Sequence, residues 1–392
     1  MSRVLEPVLS GVTLWPRDLG PYAWHDFDAE RTRYDLRAIA DSGLHAVRTL
    51  LPWDVFMPAM SRPDHGALRN FETFVDAAAR VDLVTVPVLF AQTVGDCVFL
   101  PAYAIDVDAA RPGVRAVTGG VVQPGGPRDQ YTDSRMVEAQ LRWLEGMLDA
   151  FAGHPGVAMW DLGHDPATVM RPRRIEHLRA WAALLAGRLH DAGEHCTLTL
   201  GAADVTSARG VRLSAAAASV DSLGLAIEAQ HLAFADSPID SAAAAFLVQL
   251  AMRLAEGTAP QHVHIGAALD ERGGADAAGF DDDVRRFAGD VVDRAVAVGS
   301  AGVHARAWSD SSDRVAALPP FDRRPELLRR GVVDSGGTPT PFGEAWLRAA
   351  NDLGNARPRR PWPETIDVAD YYANLPYSTA DLYAEWRRVG DG

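Results

Sequence analysis

The sequence contains no lysine. All 38 basic residues are arginines, set against 52 acidic ones for a net charge of −14. That acidic excess excludes the basic stripe of a nucleic-acid binder and the polybasic face of a protein held on anionic membranes. Arginine without lysine, beside abundant Ala, Gly and Asp, is the mark of GC-rich coding rather than of a function. Cysteine is equally scarce: only Cys97 and Cys196 occur. A disulfide scaffold is thereby excluded, and free thiols in a reducing compartment are expected. No apolar run reaches transmembrane length. Met1–Ser10 has no charged start followed by an apolar core, so a cytoplasmic location is expected. No strand is followed by Gly-x-Gly-x-x-Gly and no two histidines stand at His-x-x-x-His spacing, which removes the commonest dinucleotide and helical zinc signatures.

What is present is enough apolar residue for a large core: 47% of 392 residues, with 23% charged. Short apolar runs alternate with amphipathic segments along the chain. The predicted strands are 9–15, 44–51, 83–90, 157–163, 196–200, 222–227, 262–269 and 302–308. The predicted helices include 28–40, 68–80, 133–151, 174–192, 240–255, 281–298 and 341–350, with Asp28 and Asp133 as N-caps and Gly43 as a stop signal. Eight strands alternating with about eight helices predict an α/β fold, a (β/α)8 TIM barrel over residues 1–354. Residues 91–132, rich in Gly and Pro, form a third βα connection too long to be ordinary, the length of a lid or binding loop. Residues 355–392 form a short C-terminal extension whose aromatics, Tyr371, Tyr372, Tyr377, Tyr383 and Trp386, are expected to pack it on the barrel.

Parallel barrels carry their chemistry at the C-terminal strand ends. The 157–163 strand runs into Gly163-His164-Asp165-Pro166, where two ionisable side chains stand together. Glu228 closes the next-but-one strand, a charge that needs a partner, for which Arg48 is a candidate. Asp270 and Glu271 follow the seventh strand, where a solvated loop is the plainer reading. Trp15, Trp53, Phe90 and Trp308 lie near strand ends and suit the C–H faces of sugar rings. His262-Val263-His264 has a metallohydrolase spacing, with His231 and His304 as further donors. The pair opens its strand at the barrel's stability end, so no metal and no cofactor is expected. Cys97, beside Asp96, has no histidine motif to activate it.

Several of these strand ends together resemble clan A glycoside hydrolases of the cellulase and β-mannanase (family 5) type, over residues 9–350. His154-Pro155-Gly156-Val157-Ala158-Met159-Trp160-Asp161-Leu162-Gly163-His164-Asp165-Pro166 is similar to the fourth-strand signature, which ends in Asn-Glu-Pro with Glu as acid/base. Leu44–Arg48 with Pro52-Trp53 resembles the second-strand motif, whose Arg lies beneath the catalytic carboxylates, and Trp308-Ser309-Asp310 the eighth-strand Trp. The resemblance places His164 at the family Asn, Asp165 at the acid/base Glu, and Ala267 at the seventh-strand nucleophile. It implies a carbohydrate partner. Retaining hydrolysis needs two carboxyls about 5–5.5 Å apart, and alanine supplies neither charge nor nucleophile. Three readings follow: a carbohydrate binder or scaffold with a degenerate site and little or no retaining activity; a glycosidase using Asp165 with Glu228, Asp270 or Glu271; or a structural, interaction protein. Oligomeric state is not legible.

Overall fold

The computed structural model describes residues 8–228, 232, 234, 235, 237, 239–255, 261–266, 277–353 and 366–390. Its centre is a curled parallel sheet of eight strands: β1 (Leu9–Thr13), β2 (Ala46–Leu50), β3 (Val84–Val94), β4 (Trp160–His164), β5 (Cys196–Gly201), β6 (Ser222–Glu228), β7 (Gln261–Gly266) and β8 (Gly302–Ala305). Sequential neighbours pair from β1 through to β8, and β8 pairs in turn with β1; every one of these ladders is parallel. The strands are short because each spans only the thickness of the core. They are almost wholly buried, as the apolar runs require.

The helices cover the sheet by the patterns their sequences carry. In α1 (Ala29–Asp41) the Asp28 side chain accepts from the Glu30 and Arg31 amides, and Gly43 just beyond the end sits at φ +86°. In α2 (His65–Ala79) Asp64 caps in the same way. In α3 (Ser134–Phe151) Asp133 caps and Met136, Trp143, Leu144, Met147 and Phe151 form the buried stripe. The remaining covering helices are α4 (Ile175–Asp191), α5 (Ser241–Leu254), α6 (Ala277–Ala297) and α7 (Pro341–Asn351).

Residues 91–132 are not a featureless loop. β3 continues past the sheet to Val94 and turns back into an antiparallel strand at Cys97–Phe99, which extends through Arg115–Thr118 and Val121–Gln123. Arg115 fastens this small sheet from both sides. Its guanidinium reaches Asp96 at 2.7 Å and Asp322, in the segment after β8, at 2.7 Å. The extra pairing surface of β3 explains why Gly and Pro were so frequent there: they punctuate three tight reversals.

The C-terminal segment forms α8 (Val368–Ala373) and α9 (Tyr377–Gly390). Trp386, 1% exposed, donates to Gln249 of α5 at 2.6 Å, Tyr383 donates to Asp240 at 2.6 Å, and Tyr371 donates to the Val205 carbonyl at 2.8 Å. Each ring thus satisfies its polar tip on an element of the main body while burying its apolar face. Tyr377 stays 77% exposed. Trp386→Ala is expected to destabilise the protein by about 3–5 kcal/mol, the usual cost of emptying a buried indole site. Tyr377→Ala should fall within about 0.5 kcal/mol of the parent in the same urea titration.

Candidate functional site

The interior of the sheet holds a polar network rather than a purely apolar plug. Arg48 (β2, 2% exposed) donates to Asp161 (β4, 0% exposed) at 2.6 Å. Asp161 also accepts from the Thr199 hydroxyl of β5 at 2.6 Å and from the Gly163 and Thr199 amides. Arg48 Nη2 lies 3.4 Å from His164 Nδ1, Thr199 Oγ1 lies 3.4 Å from His264 Nε2, and the His264 and His304 rings lie 5.0 Å apart, tilted by 32°. The buried carboxylate is tolerable because it is bonded this fully, whereas Arg48 makes all of these contacts through Nη2 and its Nε is left without a partner.

Asp161 and His164 are three residues apart and would face opposite sides of a regular strand. Both join the same network because β4 carries an irregularity: Thr197 of β5 stands opposite Asp161, yet Thr199 stands opposite His164. Two residues on β5 match three on β4. The pairing with β3 slips at the same place, Phe90 facing Gly163 and Gln92 facing His164. Bulges of this kind re-aim side chains beside functional sites. His164 is 3% exposed, and burial first, then the Arg306, Arg48 and Arg330 cations, hold its pKa well below the ordinary histidine value. It is a neutral imidazole at physiological pH.

Above the network lies a cavity of about 250 Å³ at the C-terminal strand ends. Its walls come from Thr93 of β3 and Gly95 past it, His164 of β4 with Asp165 and Thr168 past it, Gly201 of β5 with Ala202, Ala203 and Thr206 past it, Ala226 and Glu228 of β6, and Arg306, Arg324 and Arg330 from the segments after β8. Asp165 adopts the left-handed conformation (φ +52°, ψ 59°), accepts from the Thr168 hydroxyl at 2.7 Å and leans over Gly201, where a Cβ would meet its carboxyl carbon at 3.1 Å. Left-handed backbone at a non-glycine residue is a departure concentrated at functional sites.

Glu228 is not partnered by Arg48, as the sequence suggested. Arg48 is committed to Asp161 beneath the cavity, and Glu228 instead forms ion pairs with Arg306 and, at 3.2 Å, with Arg330. Arg324 pairs with Glu326. The three arginines were missed by sequence reading because all of them lie in the irregular region between β8 and α7. Burial, followed by Arg324, brings Arg330 down to about 9, and burial, followed by Arg330 and Arg48, pushes Arg306 down as well. Those causes are the mark of cations crowded together.

The aromatic residues occupy other places. Trp53 and Phe90 pack around Trp143 at ring distances of 6.0 and 5.1 Å and are 3% and 0% exposed. Trp15 and Trp308 are 4% and 5% exposed. None of the four lines the 250 Å³ cavity. Ala267, Asp270, Glu271 and His231 lie outside the described residues. Among the described residues one group has metal-ligand geometry, His190, Cys196 and Asp221, at the opposite end of the strands from the cavity. There His190 Nε2 pairs with Asp221 at 3.0 Å and Cys196 Sγ lies 3.7 Å from the same nitrogen.

No protein-family model matches the sequence, and neither does any curated protein. Solved structures do. A substituted GH5_18 protein from Streptomyces cattleya, in complex with Manb1-4GlcNAc, superposes with a TM-score of 0.76 at 19% identity, covering 98% of this chain and 91% of that one. A GH5_18 protein from Bifidobacterium longum subsp. infantis gives 0.74 at 17% identity, covering 90% and 80%. An exo-beta-1,4-mannosidase from Opitutaceae bacterium strain TAV5 gives 0.71 at 16% identity; 88% of this chain matches, spanning 59% of that protein. The fold is that of the clan A glycoside hydrolases, a TIM-barrel-like arrangement of parallel strands and covering helices.

Two outcomes are expected from this geometry. Arg48→Ala leaves the Asp161 charge buried without its counter-ion and should cost about 3–5 kcal/mol in denaturant unfolding. Asp204, 2% exposed, has its carboxyl raised to about 7 by burial and then by the charge of Asp165. A raised carboxyl pKa contributes stability that is full below the unfolded value near 4 and is lost as pH rises through about 7. Stability should therefore fall over that window, and the fall should flatten in Asp204→Asn when unfolding is followed across pH.

Proposed function

We propose that the chain is a carbohydrate-binding, glycoside-hydrolase-like protein with a degenerate active site and little or no standard retaining activity. In this reading the cycle of strand pairings is a closed (β/α)8 barrel, its mouth is the 250 Å³ cavity, and the protein acts in the cytoplasm. The observation that carries the reading is the state of Glu228. It lines the cavity, and both Arg306 and Arg330 engage its carboxylate. A nucleophile must be free to attack and an acid must hold a proton; a carboxylate clamped by two guanidinium groups does neither.

Three further considerations support it. The resemblance puts Ala267 at the nucleophile position and the shorter Asp165 at the acid/base position, and catalysis is sensitive to displacements near 1 Å. Glycoside hydrolysis passes through an oxocarbenium-like transition state. Arg306, Arg324 and Arg330 around the cavity would oppose that positive charge rather than stabilise it. The segment 91–132, which a scaffold would use to plug the mouth, contributes only Thr93 and Gly95 to the cavity wall. An open cavity of this size, just under the about 300–1,000 Å³ of drug-sized sites, suits one sugar unit. The Streptomyces cattleya structure with Manb1-4GlcNAc supports a saccharide as the ligand class.

The test is a panel of aryl β-glycosides, mannosides included, at high protein concentration. No turnover above the protein-free control is expected, while calorimetry with short oligosaccharides should register binding. Turnover that disappears in Asp165→Asn would establish the hydrolase instead.

A further inference from the structure

We infer that the chain selects an acidic oligosaccharide, one unit standing at the arginines of the strand-end cavity and its neighbours lying in a second, arginine-lined groove on the same face. This inference rests on the carbohydrate reading above and specifies its ligand.

The groove encloses about 490 Å³ between the segments that follow β4 and β5, and its charged residues are Arg171, Arg173, Arg174 and Arg212; no carboxylate lines it among the described residues. All four arginines are exposed. In a chain carrying 52 acidic residues against 38 basic ones, a groove whose described charged lining is four arginines runs against the average composition, with Asp204 near Arg171 and Asp129 near Arg173 as the acids beside it. Such a concentration of one sign marks a surface that receives the other sign. Arg212 lies over the Tyr372 ring at 5.3 Å, which fixes one guanidinium plane and leaves its edge for a ligand.

Continuity with the cavity comes from the chain path. The β4 segment supplies Asp165 and Thr168 to the cavity, and three residues later Arg171 opens the groove. The β5 segment supplies Thr206 to the cavity, and two residues later Ala208 enters the groove. An extended ligand can thus pass from one to the other along the same two walls. At the cavity end Arg330 is 6% exposed and its Nε has no hydrogen-bond partner. A buried guanidinium nitrogen without an acceptor is under-satisfied, and the rest of this side chain reaches the cavity wall beside Glu228.

The chemistry of the walls favours anions on a sugar over other ligands. Guanidinium groups bind carboxylates and sulfates through paired N–H donors. Trp15, Trp53, Phe90 and Trp308 are all buried away from the cavity, so stacking on indoles, the usual means of holding a neutral sugar, is not offered there. Charge does the selecting. The net charge of −14 would repel a long polyanion such as a nucleic acid while leaving a short acidic saccharide to the local cluster.

The experiment is calorimetry on the full chain with three tetrasaccharides of matched length: an oligogalacturonate, a sulfated oligosaccharide and a neutral manno-oligosaccharide. At low salt at least one acidic ligand should bind tenfold or more tightly than the neutral one, and the advantage should shrink as salt is raised to physiological strength and beyond. The R173A/R174A double variant and R212A should each remove several-fold of that advantage, the double variant with its unfolding midpoint unmoved because those two side chains are solvated. R330A should weaken the acidic ligand more than the neutral one. Whether carboxylate or sulfate wins identifies the anion, and either result supports the inference. Equal affinity for acidic and neutral sugars overturns it and leaves the carbohydrate reading standing. Absence of binding by all three overturns both. Tighter binding of a short single-stranded oligonucleotide than of either acidic sugar assigns the arginine face to another class of ligand.

Discussion

The buried pair between Arg48 and Asp161 is the constraint on which the rest of the molecule depends. It joins β2 to β4, and through Thr199 it reaches β5, so three strands share one charge-assisted junction. Two ions taken from water are costly, and their attraction repays this only when the remaining donors and acceptors are also used. The structure meets that condition on the carboxylate side, by converging backbone amides and a hydroxyl on Asp161, while Arg48 Nε is left without a partner. The same junction fixes the floor of the cavity, because the β4 irregularity that brings His164 onto the network leaves Asp165 at the rim in left-handed geometry. One buried ion pair thus sets both the register of the centre and the aim of the side chains above it.

The electrostatics of the cavity follow from the floor. Arg48 is one of the cations that depress His164, and it also acts on Arg306 from below. A site that stabilises an oxocarbenium ion concentrates negative charge near the anomeric carbon. This site concentrates guanidinium groups and has turned its nearest carboxylate, Glu228, into their counter-ion. In the reading proposed above, the field of this cavity differs in sign from the one such a transition state requires.

Much of the fold was legible in the residues. Asp28 and Asp133 announce helices α1 and α3, and each caps as its position suggests, while Asp240, read as the first residue of α5, proves to be its cap. The eight strands fall where short apolar runs end in Gly, Pro or charge. Three things were hidden. The β4 irregularity cannot be read from Trp160-Asp161-Leu162-Gly163-His164, because it is a matter of register against two neighbours. The partners of Glu228 come from positions 306 and 330, in a stretch without periodicity, so nothing local connects them to β6. The strand-end aromatics looked like a sugar platform because sequence shows proximity to a strand end but not the side of the strand; burial around Trp143 places Trp53 and Phe90 in the core. The small sheet within 91–132 was concealed by its short strands, which lie below the length at which alternation is recognisable.

Arg115 bears on how a ligand would enter. By holding Asp96 and Asp322 together it makes the β3 excursion and the segment after β8 a single wall, the wall that carries Gly95, Arg324 and Arg330 into the cavity. A wall cross-linked in this way moves as one plate. Widening the entrance therefore falls to the opposite side, the residues 201–206 that follow β5, where Gly201 and two alanines form the lining without a salt bridge of their own among the described residues. In the reading proposed above, a ligand would enter past that side.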